Sequence, residues 1–432
     1  VTFKSIKLIF ALVLTVACSS GGQQWIHAWK ELSPLNIPRA GGVGVRHGKY
    51  LFVLGGVDGK NFLSSIERSI IRKDGELERW KVVGNLPDAR GFFDALIVGN
   101  RLFVVGGANG ANGQNLLATV FSAEINAKGE LGDWKQQSSM SLPRRCVKVF
   151  ALNGRLYAAG GFAGSLLDSL EYSEIDKEGN LGVWKMDSRT LTIPRYVNAL
   201  KSAGNSIFVL GGHHEKQGTG LASVERLDRS SDHWSSMHPM QQGRYALSAI
   251  VAGNYLFAMG GISGAKYFSS IEYFSQESGV WKYTTDLPVA MANFSTIEYD
   301  DAIYVIGGTG SSQYHNSVYY AQVNNEGGLG VWGTRGQAAS IVRLPDTLKE
   351  DVDSRLPNLG KAIDVIDTQQ YTYILVEDGG ESYWIAGPVT KVLKGDVVSF
   401  SQGAMMTGFY SNSLQRTFPK ILFVGEMQTQ NR

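Results

Sequence analysis

Six Gly-Gly pairs recur along the chain, each followed by a tryptophan, and no other feature so narrows what the chain can fold into. The pairs begin at Gly55, Gly106, Gly160, Gly211, Gly260 and Gly307, which lie 51, 54, 51, 49 and 47 residues apart. The trailing tryptophans are Trp80, Trp134, Trp184, Trp234, Trp281 and Trp332. A steady period near fifty marks a repeat architecture, in which each unit must stack on its neighbours to bury its apolar face. Glycine supplies 52 of the 432 residues, against about 7% of an average chain, as suits an all-β protein with many tight turns.

Each repeat carries the same succession of strand signals. A short apolar run precedes every glycine pair: Tyr50 to Leu54, Arg101 to Val105, Arg155 to Ala159, Ser206 to Leu210, Tyr255 to Met259 and Ala302 to Ile306. Turns such as Gly99-Asn100, Asn153-Gly154 and Gly253-Asn254 come before these runs, and their residues tolerate the positive φ of a tight hairpin. Upstream lies another strand, for example Ala95 to Val98 or Leu247 to Val251. A third is marked by Ser65-Ile66-Glu67-Arg68, Ser169-Leu170-Glu171-Tyr172, Ser223-Val224-Glu225-Arg226 and Ser270-Ile271-Glu272-Tyr273. The fourth is expected to end in the tryptophan, and the glycine pair to leave room for a bulky side chain, tryptophan being the expected occupant. Four strands per period, six times over, predict a six-bladed propeller.

The double glycine, the spaced aromatic and their repetition resemble the kelch propellers, over residues 29 to 334. Trp29-Lys30 matches Trp80-Lys81, Trp134-Lys135, Trp184-Lys185 and Trp281-Lys282, so the chain enters the ring at the end of a blade. A propeller closes by pairing a terminal strand into the opposite end of the ring, which removes its open edges. The Trp29 segment and the Trp332 segment both qualify for that place.

Sixteen residues before each glycine pair stands Arg39, Arg90, Arg144, Arg195 or Arg244, with Met291 in the sixth repeat. Each marks the hand-over from one blade to the first strand of the next. Two roles are open: to bond carbonyls and stiffen the ring, or to face the rim and grip a carboxylate or phosphate with paired hydrogen bonds. Resemblance to kelch domains that recognise partners on this face implies the second, together with the loops after the glycine pairs. Those loops offer Asp58 to Asn61, Asn109 to Asn112, His213-His214-Glu215-Lys216, Lys266-Tyr267 and Gln313 to Asn316. The expected binding set is therefore Arg39, Arg90, Arg144, Arg195, Arg244, His213, His214, Tyr267 and Tyr314.

The first residues predict an address. Lys4 and Lys7 precede an apolar run, Leu8 to Ala17, too short to span a bilayer as a mature helix. Leu14-Thr15-Val16-Ala17-Cys18 resembles the lipobox of bacterial lipoproteins, which implies a signal peptide over 1–17 and lipidation of Cys18 ahead of a tether over 18–28. Ser19 after the cysteine implies outer-membrane sorting. Cys146, the other cysteine, lies in an apolar strand pattern and reads as a packed residue.

No motif of a zinc protease, a Cys-x-x-Cys redox centre, a serine hydrolase elbow or a phosphate-binding loop occurs. His213 and His214 would point to opposite faces of a strand and could share a metal only in a bent loop. No cofactor is expected. A net charge of +2 without a basic run gives no electrostatic case for nucleic acid. Among enzymatic kelch proteins, the ligand pattern of galactose oxidase does not map onto the chain. The exported six-bladed sialic acid mutarotases, whose substrate carries a carboxylate, are nearer.

After Trp332 the repeats stop. Residues 335–358 read as a polar linker, and 359–432 hold five strand-like runs: Ala362 to Ile366, Tyr371 to Val376, Tyr383 to Ala386, Val397 to Phe400 and Ile421 to Val424. Asp378-Gly379-Gly380 and Lys394-Gly395-Asp396 supply turns. Five short strands predict a small OB-like barrel, and this stretch resembles a small exported bacterial domain of that type found beside periplasmic respiratory or redox proteins. The chain as a whole reads as a lipid-anchored, extracytoplasmic binding or scaffolding protein whose rim holds a protein or anionic glycan. A carbohydrate-active enzyme such as a mutarotase, and an accessory role through the C-terminal barrel, are the alternatives.

Overall fold

The computed structural model describes residues 24–214, 219–275, 278–333, 341–342, 358–368, 371–378, 381–400, 403–411, 414–424 and 427–429. The expected signal peptide, Cys18 and nearly all of the 335–358 segment lie outside these residues. Among the described residues no helix is long and apolar enough to cross a membrane.

Six antiparallel blades form the ring, five of them separate four-stranded sheets and the sixth part of a seven-stranded sheet. Blade one runs Val43–His47, Tyr50–Leu54, Ser65–Ile70 and Lys81–Asn85, in that order from the centre outward, and the later blades repeat the pattern. The innermost strands of successive blades touch in cyclic order, and that of blade six, Ser295–Tyr299, returns to Val43–His47. Every blade is narrow and apolar on both faces, so its neighbours, and not solvent, complete its core. Six hydrophobic clusters result, each bringing one blade tryptophan together with residues of two adjacent blades.

The tryptophans do a different job from the one expected. The fourth strand starts at or just after the indole, as in Lys81–Asn85 after Trp80 and Trp281–Thr284. The ring then packs between blades, its N–H donating to a loop carbonyl in three of them: Trp80 to Ser33 at 3.0 Å, Trp184 to Ser138 and Trp281 to His238 at 2.8 Å.

The glycine pairs are occupied by backbone instead. Their first members have φ of 52–66° and their second 93–107°, which a side chain adopts only at a cost. A Cβ at Gly55 would lie 2.7 Å from the Arg90 carbonyl oxygen, and at Gly211 2.3 Å from that of Arg244. This close approach exists because the second glycine's N–H donates to the next blade at that same carbonyl. Gly56 bonds Arg90, Gly107 Arg144, Gly161 Arg195, Gly212 Arg244 and Gly261 Met291, and Gly308 closes the circle on Arg39, all at 2.7–3.2 Å. The repeating glycine is thus the inter-blade weld.

Blade six settles which end shuts the ring. Trp29–Leu32 pairs antiparallel with Val318–Val323 and takes the outer place, with Trp29 fully buried at 0% exposure. Leu329–Gly333 pairs only with the far end of that strand, at Gln322 and Val323, leaving Trp332 54% exposed. Gln24–Ile26, expected in the tether, adds to Leu329–Gly333 and sets Trp25 edge-on to Trp332 at 5.3 Å. Ile341–Val342, expected in the linker, pairs with Trp29 and Lys30.

The C-terminal unit is a sheet of seven strands. Asn358–Asp367, Thr372–Asp378 and Glu381–Gly387 form a meander, and Glu381–Gly387 then pairs parallel with Arg416–Val424. The five expected runs all fall on strands. Gly403–Ser411 and Met427–Thr429 were not expected, because Gly403 and Gly408 interrupt the first and the second is three residues long. Its core gathers residues such as Ile374, Ile385, Val398 and Phe400 on one side, with Tyr373, Trp384 and Phe418 in a second cluster.

Candidate functional site

The hand-over arginines and the glycine pairs end at one face of the ring, around the mouth of the central channel. Arg39, Arg90, Arg144, Arg195 and Arg244 are 0–2% exposed there. Each Nη1 donates to the first glycine of its own blade's pair, at Gly55, Gly106, Gly160, Gly211 and Gly260, over 2.7–3.0 Å. Each also reaches the carbonyl and hydroxyl of a third-strand serine or threonine: Ser65, Thr119, Ser169, Ser223 or Ser270.

Four of the five add a buried ion pair, Arg39 with Glu67, Arg144 with Glu171, Arg195 with Glu225 and Arg244 with Glu272. Burial pulls these four guanidinium pKa values below their ordinary value, and the paired glutamates push back. The glutamates also accept backbone N–H bonds from the stretch just before their own arginine: Asn36, Ser141, Thr192 and Gln241 donate at 2.6–2.8 Å. Blade two has Phe121 at the glutamate's place, and there Arg90 pairs with Asp88 and lies 5.1 Å over the Phe121 ring. In blade six Met291 leaves Ser317 Oγ buried without the guanidinium its counterparts receive.

These contacts correct the expectation that the five arginines bind a ligand. A guanidinium has five N–H donors, and here they are spent within the blade, out of reach of solvent. What repeats in every blade is structural.

Recognition belongs to the positions that differ between blades. The residue after each hand-over position pairs with the residue after each glycine pair, so twelve residues encircle the mouth. On blades three to five the first set is Arg145, Tyr196 and Tyr245, and on blades one, two and six it is Ala40, Gly91 and Ala292. The mouth therefore has a high aromatic wall on one side and a low one on the other. Arg145 lies 4.7 Å over Phe162, Phe162 is 6.0 Å from Tyr196, and His213 is edge-on to Tyr196 at 5.4 Å and to Tyr245 at 5.2 Å. These rings are half-buried. Burial raises the Tyr245 phenol above its ordinary pKa, keeping it a neutral donor, and it donates to Gly264 at 3.2 Å.

Of the expected loop residues, His213 stands within this arc and His214 beside it. Tyr267 closes a small hairpin opposite Ile262, and its phenol is likewise raised by burial. Tyr314 reaches from blade six across to blade one, where its ring covers Gly59. Glu215 and Lys216 lie outside the described residues. Among the described residues no group of three or more metal-ligating side chains converges. Sequence reasoning missed Arg145, Phe162, Tyr196 and Tyr245, although all four flank the repeated arginine or the glycine pair by one position.

Just inside the mouth is a collar. Gly41, Phe92, Cys146, Val197, Ala246 and Asn293, each two residues after the hand-over position, all have φ of 47–61°. For a β-branched residue such as Val197 this conformation is a genuine outlier. It persists because the collar is bonded to itself: Phe92 donates to Gly41, Gly41 to Asn293, Asn293 to Ala246, Ala246 to Val197 and Cys146 to Phe92, at 2.6–2.9 Å. Burial pushes the Cys146 thiol up to about 11, so it is not a thiolate at neutral pH.

An all-β ring of six four-stranded blades is a β-propeller. The Kelch motif matches residues 202–241 and 243–288, so the repeats there, in blades four and five, are kelch repeats. Beta-scruin of Limulus polyphemus is 30% identical over 145 residues, 33% of this chain and 16% of the relative. Kelch-like protein 35 of Mus musculus is 26% identical over 262 residues, 60% of this chain and 41% of the relative. The chain spans less than half the length of the curated relatives it matches. A solved structure titled "Structure of YjhT" superposes with a TM-score of 0.57 at 15% identity, covering 70% of this chain and 99% of that one. That likeness concerns the fold alone.

Proposed function

We propose that this chain is a lipid-anchored, extracytoplasmic binding protein whose propeller holds a protein partner against the aromatic wall of the channel mouth. The carrying observation is the asymmetry of that mouth: Phe162, Tyr196, His213 and Tyr245 form a continuous arc over three blades. Aromatic rings with a polar edge are the side chains that dominate protein interfaces, and recognition in kelch domains uses this loop-bearing face. An anionic glycan, or a mutarotase substrate, drew its expected grip from the five arginines, and their consumption within the blades withdraws that support. The sequence around Cys18 supports the anchor. The OB-like reading of the C-terminal unit draws support from the parallel pairing of its third and sixth strands.

Photo-cross-linkers placed at Tyr196 and Tyr245 in intact cells should capture one partner, identified by mass spectrometry. Cross-linkers at Gly154 and Gly204, in exposed turns on the opposite face, should not. Equal capture from both faces overturns the rim as the binding surface. The anchor is tested separately: palmitate should label the protein and fail to label Cys18→Ser, and persistent labelling of that variant refutes lipidation at this residue.

A further inference from the structure

Every blade lends its innermost strand to the central channel, a cavity of about 300 Å³ beneath the collar. Much of its lining is small and neutral, as at Gly42, Gly44, Ala199 and Ser248. Three charged side chains break that pattern, Asp94 of blade two, Lys148 of blade three and Lys201 of blade four. Glu298 of blade six is the other charge that acts on Lys201, and the Arg46 guanidinium stands 3.9 Å from its carboxylate.

Asp94 is already engaged. Its Oδ2 accepts the Val149 N–H at 2.8 Å and its Oδ1 the Ala95 N–H at 3.0 Å. Neither lysine ammonium has a hydrogen bond or an ion pair within 4.0 Å among the described residues. Both lysines are half-buried, and each ammonium group carries three donors. Two such groups in one channel repel each other as well. Burial lowers the proton affinity of Lys201, with Lys148 adding to the effect and Asp94 opposing it, while burial raises that of Asp94.

We propose that the central channel is a site for a small oxyanion, of phosphate or short carboxylate size, held between Lys148 and Lys201. Such an ion supplies an acceptor group shared by both ammonium groups and offsets their mutual repulsion, and the cavity has room for it together with several waters, each of which takes about 30 Å³. The Ser248 hydroxyl, 2.8 Å from Thr296 Oγ1, offers a further polar contact on the lining. This site lies below the collar and is independent of the rim and of whatever docks there.

The test uses the whole purified protein in a phosphate-free buffer, titrated calorimetrically with phosphate, with succinate and with chloride at matched ionic strength. One of the two oxyanions should bind with a 1:1 stoichiometry and raise the melting temperature, whereas chloride should not, and their ratio assigns the inorganic or the organic source. Lys148→Met and Lys201→Met should each weaken binding by at least about tenfold, as expected for losing a charged hydrogen bond. Asp94→Asn should tighten it by removing a neighbouring negative charge. No binding beyond chloride, or unchanged affinity in both lysine variants, overturns the site. Should the lysine variants fail to fold, unchanged or weaker affinity in Asp94→Asn overturns it instead.

Discussion

Replacing Arg144 with leucine is expected to lower the unfolding free energy by about 3–5 kcal/mol, the usual result of removing one partner from a buried ion pair. Glu171, 0% exposed, would keep its charge with no cation to face it, and the Gly160 and Ser169 carbonyls would lose their donor. The double variant Arg144→Leu, Glu171→Leu should recover part of that loss, because the stranded carboxylate goes with the guanidinium. Urea unfolding of the purified protein measures both. A loss below about 1 kcal/mol for the single variant, the size of an ordinary substitution, would mean that the arginine is not a girder of the ring, and its role in binding would have to be reopened.

The second large effect separates two tryptophans that the sequence pattern treats alike. Trp29→Ala should cost about 3–5 kcal/mol, as for a large aromatic removed from a packed core, because its ring fills the contact between blades five and six. Trp332→Ala should stay within about 0.5 kcal/mol, as surface changes do, since that indole is 54% exposed. The reverse ranking in urea midpoints would place the Trp332 segment, and not Trp29–Leu32, in the closing position.

The blade number, the second strand of each blade and the hairpin turns were legible because they depend on local chemistry repeated six times. Whether Trp29 or Trp332 closes the ring was not, since both obey the local pattern and the choice is made by pairing Lys30 with Tyr320, distant in the chain. The arginines were located but turned the wrong way. Position along a strand does not say whether a guanidinium faces solvent or its own blade. The missing signal was on the page: four of the five arginines have a Ser-x-Glu string downstream, and the blade that lacks the arginine, at Met291, also lacks the glutamate, having Tyr319 there. The rim aromatics escaped because repeats direct the eye to what recurs, whereas Tyr196 and Tyr245 matter where the blades diverge. Asp94 was overlooked because the strand beside it was read from Ala95 onward.

Closure through Trp29–Leu32 has a consequence for how the protein is made. The strand that receives it, Val318–Val323, emerges from the ribosome some three hundred residues later, so the earliest blade-forming segment waits unpaired until nearly the whole ring exists. Contacts so distant in sequence form slowly. A nascent or truncated product therefore presents an unprotected sheet edge to proteases and to other chains, and closure of the ring becomes a late event that follows the blade-by-blade accumulation.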